Sequence, residues 1–257
     1  MNLFDLSNKT ALITGSTKGI GRSIANRLAE HGANVVISSR KAAACERVAA
    51  DINQTWTKKN ARAFAIPCNI KHKNHLRDLV EGTLDAFGAI DILVCNAAVN
   101  PYFGPSADIT DDAFNRTMES NVRSNFWLCN MTIPKMNDRK GGSIILISSI
   151  GGLRGRPLIG AYGISKAADM QIARNIAAEY GPKNIRANCI APGLIRTDFA
   201  RALWENPKTL SERTATTPLR RIGEPDEVAG AVVFLASDAG AFVTGETIVI
   251  DGGVTIV

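Results

Sequence analysis

Metal and disulfide chemistry have little support in this sequence, which has three histidines and five cysteines among 257 residues. The cysteines are odd in number and far apart, and no Cys-x-x-Cys pair or Cys/His metal-site spacing occurs. Most of them lie in or beside apolar runs, where a free thiol behaves as a small hydrophobic side chain. We therefore expect neither a disulfide nor a bound metal.

Long apolar runs are also missing. No stretch approaches the roughly 20 apolar residues of a membrane-crossing helix. The first residues carry Asp5, Ser7 and Asn8 in place of the continuous apolar stretch of a secretory signal. The last residues match no retention or peroxisomal signal. These absences predict no membrane contact and a cytoplasmic location.

Charge of one sign is not concentrated anywhere along the chain. The net charge of +6 comes from 30 basic and 24 acidic residues, and the basic ones are scattered. Nucleic-acid binding usually needs a basic patch or stripe, so we do not expect it here. A solvated basic surface fits, as does the binding of an anionic cofactor or substrate.

Short β-branched runs alternate with longer helical patterns from end to end, which predicts βαβ units. Strands are predicted at Thr10–Thr14, Asn34–Ser39, Ala61–Cys68, Asp91–Cys95, Gly142–Ser148, Arg186–Ile190 and Thr247–Ile250. Helices are predicted at Ile20–His31, Ala42–Gln54, Asn74–Phe87, Asp111–Met136, Tyr162–Tyr180 and Pro225–Ala236. The expected fold is α/β, a single Rossmann-type domain over residues 1–257 with a doubly wound parallel sheet of about seven strands and helices on both faces. The polar, irregular stretch 197–223 interrupts the alternation and is predicted to be a substrate lid.

A glycine-rich loop follows the first strand and opens the first helix. Glycines there allow a sharp turn and a close backbone approach to a pyrophosphate at the helix N-terminus. The second strand ends without the Asp or Glu that NAD sites usually place against the ribose, and Arg40 stands there instead. Arg40 and Lys18 could pair with a 2′-phosphate, so the sequence predicts NADP(H). The loop residues expected to bind the cofactor are Gly15, Ser16, Thr17, Lys18, Gly19, Ile20 and Gly21.

Tyr162 and Lys166 are four residues apart, which places a phenol and an ammonium group on one face of a helix. A free tyrosine, with a pKa of about 10, is a poor base at neutral pH. A neighbouring cation favours the phenolate, which makes proton transfer practical. Asn96 and Ser149 follow the fourth and fifth strands, at the sheet edge where sites of this fold class lie.

Together these segments resemble the short-chain dehydrogenase/reductase family over nearly the whole chain. The matching segments are Thr14-Gly-x-x-x-Gly19-Ile-Gly21, Asn96-Ala97-Ala98, Asn121, Ser149, Tyr162-x-x-x-Lys166 and Pro192-Gly193. The resemblance implies that Tyr162 is the general acid/base and that the Ser149 hydroxyl holds the substrate oxygen. It implies that Lys166 supports the tyrosine and binds the nicotinamide ribose. Asn121 would hold a water in a proton relay to Lys166.

The resemblance also implies further cofactor contacts beyond the glycine loop. Besides Tyr162 and Lys166 they are Ser39, Arg40, Asn69, Ile70, Asn96, Ala97, Pro192, Gly193, Ile195 and Thr197. Two positions depart from the family pattern, because Asn69 replaces the usual Asp beside adenine and Ala98 replaces a usual Gly. The Asn69 carbonyl can still accept a hydrogen bond from the adenine amino group, so we expect binding to survive.

The expected reaction is NADPH-dependent reduction of a ketone to an alcohol. The chain most resembles the NADPH-dependent carbonyl/retinal reductase branch, and Phe103, Phe199 and Trp204 suggest an apolar substrate pocket. Loop packing or a subunit contact explains these aromatic residues nearly as well. Members of the family are usually homotetramers or homodimers, so we also expect self-association.

Three alternatives remain open at this point. One is a 3-oxoacyl-[acyl-carrier-protein] reductase, which would meet its acidic carrier protein with basic residues such as Arg139, Lys140 and Lys183. Another is an NAD-linked alcohol dehydrogenase. The third is a protein that senses a dinucleotide without turnover; the presence of all four expected catalytic residues speaks against it.

Overall fold

A computed structural model describes residues 2–56, 61–138 and 141–257. Arg139 and Lys140, two of the basic residues considered for carrier-protein binding, lie outside these ranges. Within them, seven strands form one parallel sheet in the order β3-β2-β1-β4-β5-β6-β7. The strands are β1 (Thr10–Thr14), β2 (Asn34–Ser38), β3 (Ala63–Ala65), β4 (Ile92–Cys95), β5 (Gly142–Ile147), β6 (Ile185–Pro192) and β7 (Thr247–Ile250).

The sheet changes direction between β1 and β4. The chain runs outward from β1 to β3, crosses back to place β4 beside β1, and then continues to β7. Doubly wound sheets bind ligands at such a switch point, in the crevice at the carboxyl ends of the strands. The predicted Rossmann-type sheet is confirmed. Eight helices connect the described strands: α1 (Gly19–Glu30), α2 (Ala42–Thr55), α3 (Lys73–Phe87), α4 (Asp111–Met118), α5 (Ser124–Asp138), α6 (Gly160–Tyr180), α7 (Pro207–Ala215) and α8 (Pro225–Ala236).

The strands are apolar on both faces because helices cover both. In β1, Ile13 packs with α1 and α8 on one face of the sheet, while its neighbour Leu12 packs with α3, α5 and α6 on the other. Neither side chain is exposed. Burying a side chain of this size contributes about 1.5–3 kcal/mol, so the two-sided core holds the sheet edge in place.

One strand and one helix differ clearly from the sequence-based expectation. β3 covers only Ala63–Ala65 of the predicted 61–68 segment, since this strand lies at the edge of the sheet and pairs with β2 alone. The predicted helix Asp111–Met136 is interrupted by a π-helical segment at Glu119–Arg123 and continues to Asp138. Widened turns of this kind are frequent at functional sites.

The segment 197–223 is more regular than expected. A 3₁₀ turn covers Asp198–Leu203, and α7 follows it. The start of α7 has a strong local signal, because the Asn206 side chain accepts hydrogen bonds from the backbone N–H groups of Lys208 and Thr209, and Pro207 occupies the first turn. The expectation that this stretch is irregular throughout was therefore wrong.

All five cysteines are buried with free thiols. In the described part of the chain, no group of three His, Cys, Asp or Glu side chains could hold a metal ion. None of the described helices combines the length and the apolar character needed to cross a bilayer.

Candidate active site

The glycine-rich loop between β1 and α1 adopts backbone conformations that suit glycine. Gly15 and Gly19 have φ values of +67° and +54°, in the left-handed region. A Cβ atom on Gly21 would collide with the Asn96 amide and the Gly15 carbonyl. The loop therefore packs tightly at the switch point, and α1 begins there with its first backbone N–H groups unpaired within the helix.

Asn96 and Thr14 join this loop to the end of β4. The Asn96 amide donates to the carbonyl oxygens of Thr14 at 2.9 Å and of Gly15 at 3.2 Å. The Thr14 hydroxyl accepts from the backbone N–H groups of Asn96 at 3.0 Å and Ala97 at 3.1 Å. These bonds hold the two sides of the crevice at a set separation.

Ser16 joins the ends of β1 and β2 through its side-chain hydrogen bonds. Its hydroxyl is fully buried, donates to the Ile13 carbonyl at 2.9 Å and accepts from the Ser38 N–H at 2.8 Å. The Ser38 hydroxyl, also buried, has no hydrogen-bond partner among the described residues. The Ser16 side chain thus supports the crevice from within the fold.

The residues expected at the adenosine end come together at the ends of β2 and β3. The Cys68 N–H donates to the Ser39 carbonyl at 2.9 Å, which brings Asn69 and Ile70 next to the segment that carries Arg40. Arg40 is exposed and has no ion pair within the described residues. Lys18 is exposed too, but it pairs with Asp198 at 3.8 Å.

These residues fit a nicotinamide dinucleotide. A Cβ atom at Gly15 or Gly21 would clash with Asn96, so glycine at both positions lets the loop backbone pack tightly, as a loop that approaches a pyrophosphate closely must. The end of β2 carries Arg40 and Lys41, which suit a 2′-phosphate better than a carboxylate would.

Pro192 is the last residue of β6, and Gly193, Ile195 and Thr197 follow it. The Gly193 N–H donates to the Ile250 carbonyl of β7 at 2.9 Å, and Ile195 forms a parallel bridge with Gly223. A Cβ atom on Gly19 would stand 3.2 Å from the Thr197 methyl group. The base of the 197–223 segment therefore contacts the glycine-rich loop.

Tyr162 and Lys166 lie on one face of α6, with Nζ of Lys166 at 5.9 Å from the centre of the Tyr162 ring. Ser149 follows β5, and its hydroxyl oxygen accepts from the Gly151 N–H at 3.1 Å. Ser148 is buried and donates to the Lys166 carbonyl at 2.6 Å, so its hydroxyl faces α6. The turn after Ser149 packs directly on the α6 backbone, since a Cβ on Gly152 would stand 2.6 Å from the Lys166 carbonyl carbon.

Asn121 is buried in the π-helical segment, and its side chain is fully engaged. Its amide oxygen accepts from the Val99 N–H at 2.8 Å, while its nitrogen donates to the Val99 carbonyl at 2.9 Å and to the Ser165 hydroxyl at 3.0 Å. The segment after β4 and the middle of α6 are therefore tied together at Asn121. Its backbone carbonyl accepts from the Asn125 side chain at 2.7 Å.

Two buried polar residues beside Lys166, namely Asp169 and Asn125, were not predicted from the sequence. The Lys166 ammonium donates to the Ile147 carbonyl at 2.8 Å and to Asp169 Oδ2 at 2.9 Å, and Asn125 donates to Asp169 Oδ1 at 2.9 Å. Burial, the largest single influence, acts to lower the pKa of Lys166. The charge and hydrogen bond of Asp169, together with Tyr162 and Cys189, act the other way, and the pKa is raised overall. The only sequence signal for Asp169 is its spacing of three residues from Lys166, on the same helical face.

Loops with exposed apolar side chains lie on the side of the site where the sequence predicts the substrate. The Phe199 ring lies 6.2 Å from the Tyr162 ring, with the planes inclined at 38°. The Trp204 indole donates to the Thr197 carbonyl at 2.9 Å, so its ring packs at the start of the 197–223 segment. The loop that carries Phe103 meets the segment before α6 through the bond from the Gly104 N–H to the Leu158 carbonyl at 2.9 Å.

Similarity to known proteins identifies this arrangement. The family model described as "Enoyl-(Acyl carrier protein) reductase" matches residues 15–255. Dehydrogenase/reductase SDR family member 4 of Bos taurus is 41% identical over 96% of this chain and 88% of its own length. The human protein dehydrogenase/reductase SDR family member 2, mitochondrial, is 37% identical over 96% and 86%. The chain belongs to the short-chain dehydrogenase/reductase family.

Solved structures of this family have the same fold. A gluconate 5-dehydrogenase from Burkholderia cenocepacia J2315, in complex with NADP and tartrate, has a TM-score of 0.91, 33% identity and coverage of 100% of this chain and 98% of that one. A 7α-hydroxysteroid dehydrogenase, complexed with NADH and 7-oxo glycochenodeoxycholic acid, has a TM-score of 0.90, 35% identity and coverage of 98% and 96%. The chain is accordingly an oxidoreductase that acts on CH–OH and C=O groups.

Proposed function

We propose that this protein reduces a ketone to an alcohol with NADPH. The observation that carries the proposal is the grouping of Tyr162, Lys166 and Ser149 at the carboxyl edge of the sheet, beside the tightly packed glycine-rich loop. No hydroxyl bond of Tyr162 to another described residue competes with a bound substrate. The Tyr162 phenol, the Ser149 hydroxyl and the Lys166 ammonium group together suit the reduction of a carbonyl.

The roles of the side chains follow from their chemistry. When bound, NADPH supplies the hydride. Ser149 donates a hydrogen bond to the carbonyl oxygen, and Tyr162 gives that oxygen its phenolic proton as negative charge develops there. The Lys166 ammonium stabilises the phenolate that Tyr162 becomes. In the reverse direction Tyr162 accepts the alcohol proton.

Replacement of Tyr162 by Phe tests catalysis directly. It should reduce turnover by about 10²-fold or more, as loss of a general acid does, while NADPH still binds. Undiminished turnover would refute the assigned role of Tyr162. If NADPH binds tightly but no ketone is turned over by the wild type, the protein would belong with the dinucleotide sensors.

The preference for NADPH rests on Arg40. It is exposed at the end of β2 and unpaired among the described residues, so its guanidinium can form two hydrogen bonds to a 2′-phosphate. Lys18 could add a second cation, because its pair with Asp198 is exposed to solvent, weak and readily exchanged.

Measurement of kcat/KM for NADPH and NADH in Arg40→Ala tests this preference. Loss of a charged hydrogen bond of about 1.5–3 kcal/mol predicts a fall in the NADPH/NADH ratio of roughly 10- to 150-fold. Arg77→Ala, an equal change on the exposed side of α3, is the control and should leave the ratio unchanged. An unchanged ratio in Arg40→Ala would favour an NAD-linked alcohol dehydrogenase.

The substrate side favours a small or medium-sized ketone with an apolar part. Phe103 and Phe199 are exposed on the loops around Tyr162, and Phe199 approaches the Tyr162 ring. A panel with an aromatic diketone, an acetoacetyl thioester and a keto acid distinguishes the candidates. Preference for the thioester would support a 3-oxoacyl carrier-protein reductase. Of the three basic residues considered for carrier-protein binding, Lys183 lies in the described part of the chain, and it is exposed. Preference for the keto acid would favour an acidic substrate, in line with the gluconate named for the dehydrogenase from Burkholderia cenocepacia.

We also propose that the protein is a homotetramer or a homodimer. Phe126 on α5 and Ile164 on α6 are each 55% exposed, which leaves apolar surface on the two long helices. Val249 adds exposed apolar surface on the edge strand β7. Light scattering after size exclusion should give a mass of two or four chains, and Phe126→Glu should lower it.

A further inference from the structure

Lys166 has a buried anionic partner to which the family resemblance assigns no role. Its Nζ lies 2.9 Å from Asp169 Oδ2 and 2.8 Å from the Ile147 carbonyl at the end of β5. Lys166 is 2% exposed and Asp169 is not exposed at all. A charged pair this deep is costly to desolvate and persists only where hydrogen bonds satisfy both groups.

Asn125 supplies the remaining hydrogen bonds. One amide N–H group reaches Asp169 Oδ1 at 2.9 Å and another reaches the Asn121 carbonyl at 2.7 Å. An unbroken path of hydrogen bonds therefore runs from the π-helical segment through Asn125 and Asp169 to the Lys166 ammonium. It connects two residues, Asn121 and Lys166, that the resemblance joins only through a water.

Further titratable groups lie on the elements around the pair. Tyr162 lies on the same helix, and the thiols of Cys95 on β4, Cys129 on α5 and Cys189 on β6 face the pair from three further elements. A hydrogen bond with Cys129, together with burial, raises the pKa of Cys95, and burial raises that of Cys189. In the described part of the chain, Asp169 is the carboxylate that compensates Lys166.

We propose that Asp169 is a positioning residue that keeps Lys166 an ammonium group and, with Asn125, holds it at the end of β5 below Tyr162. Without Asp169, burial favours the neutral amine, which cannot stabilise the Tyr162 phenolate. The network also explains why a charge is buried on a helix face that otherwise packs into the core. The inference depends on the proposed function at one point, namely that Lys166 acts as a cation beside Tyr162.

The first test measures the charge of Lys166 without any assay of activity. In protein with ¹³Cε-labelled lysine, the Lys166 signal is assigned by its disappearance in Lys166→Arg and followed from pH 6 to 10.5. It should keep the chemical shift of an ammonium group throughout the range. Conversion to a neutral amine below pH 9 would overturn the proposal, whatever reaction the enzyme catalyses.

The second test uses Asp169→Asn, which removes the charge and keeps the size of the side chain. A fully buried lysine without a counter-ion loses up to 3–5 pKa units, so most Lys166 should be neutral at pH 9. Alcohol oxidation should therefore fall at least about tenfold relative to wild type at pH 9, with a much smaller loss at pH 6.5. Asp85→Asn, an exposed Asp on α3, is the matched control and should follow the wild-type profile.

The result that contradicts the proposal is a loss of activity that is equal at every pH, since that would mean Asp169 contributes packing alone. Asn125→Asp combined with Asp169→Asn returns a carboxylate to the same buried network. This double variant should recover part of the activity at pH 9. If Asp169→Asn does not fold, the lysine titration of the wild type still decides the question.

Discussion

Replacement of Gly21 by Ala should destabilise the protein, although alanine is the better helix former. Gly21 lies in the first turn of α1, where a Cβ atom would meet the Asn96 amide and the Gly15 carbonyl. Both neighbours are held in place, because the Asn96 amide is bonded to the backbone of Thr14 and Gly15. The methyl group can therefore be accommodated only if the loop or the end of β4 moves.

The size of the effect can be worked out from these contacts. Overpacking by one methyl group costs about 1–3 kcal/mol, against which alanine recovers less than about 1 kcal/mol of helix propensity. The net loss of up to about 2 kcal/mol corresponds to a fall in Tm of up to roughly 8 °C for a chain of this size. NADPH affinity should fall as well, since the same atoms shape the pyrophosphate crevice.

Gly230 provides a matched control for this prediction. It is exposed within α8, and a Cβ atom there would have no neighbour within 4 Å. Gly230→Ala should therefore raise the stability by about 0.5–1 kcal/mol. Differential scanning fluorimetry and an NADPH titration measure both variants. Equal stabilisation by the two substitutions would refute the packing argument at Gly21.

Three further predictions concern the proposed lid, residues 197–223, and the helix that follows it. Phe199→Ala should raise KM for an apolar ketone several-fold and leave NADPH affinity unchanged, because the ring contacts Tyr162; steady-state kinetics measure both. Asn206→Ala removes the N-terminal cap of α7, which costs about 1 kcal/mol and should speed proteolysis within the lid. Arg221 lowers the pKa of Glu227 to about 2. This pair should therefore stabilise the fold above about pH 4.5, with the contribution lost as the pH falls towards 2. In Arg221→Gln, unfolding monitored by circular dichroism should depend less on pH over that range.

The sheet and the main motifs could be predicted because their signals are local. The glycine-rich loop, the Tyr162/Lys166 spacing and the apolar strands each depend on residues within a few positions of one another. The interruption between α4 and α5 could not be predicted from such local signals. It depends on bonds from Asn121 to Val99 and Ser165, which are 22 and 44 residues away in the sequence.

Asp169 illustrates the same limit more sharply. Its spacing from Lys166 suggested at most a surface pair on a helix, the usual state of an acid three residues from a lysine. Burial of that helix face by β4, β5 and α5 turns the pair into an internal one, and this burial is a property of the whole fold. No sequence pattern predicts how deeply this helix face is buried.

The polar residues of the candidate site fall into two groups that their residue types do not distinguish. Ser16, Asn96 and Asn121 direct their side chains to backbone groups of neighbouring elements, so they build the crevice. Tyr162 and Arg40 have no such bonds among the described residues and can turn to a ligand. Substitution in the first group should reduce stability and cofactor binding together, because the bonds hold strands in register. Substitution in the second should change turnover or cofactor choice while the fold stays intact.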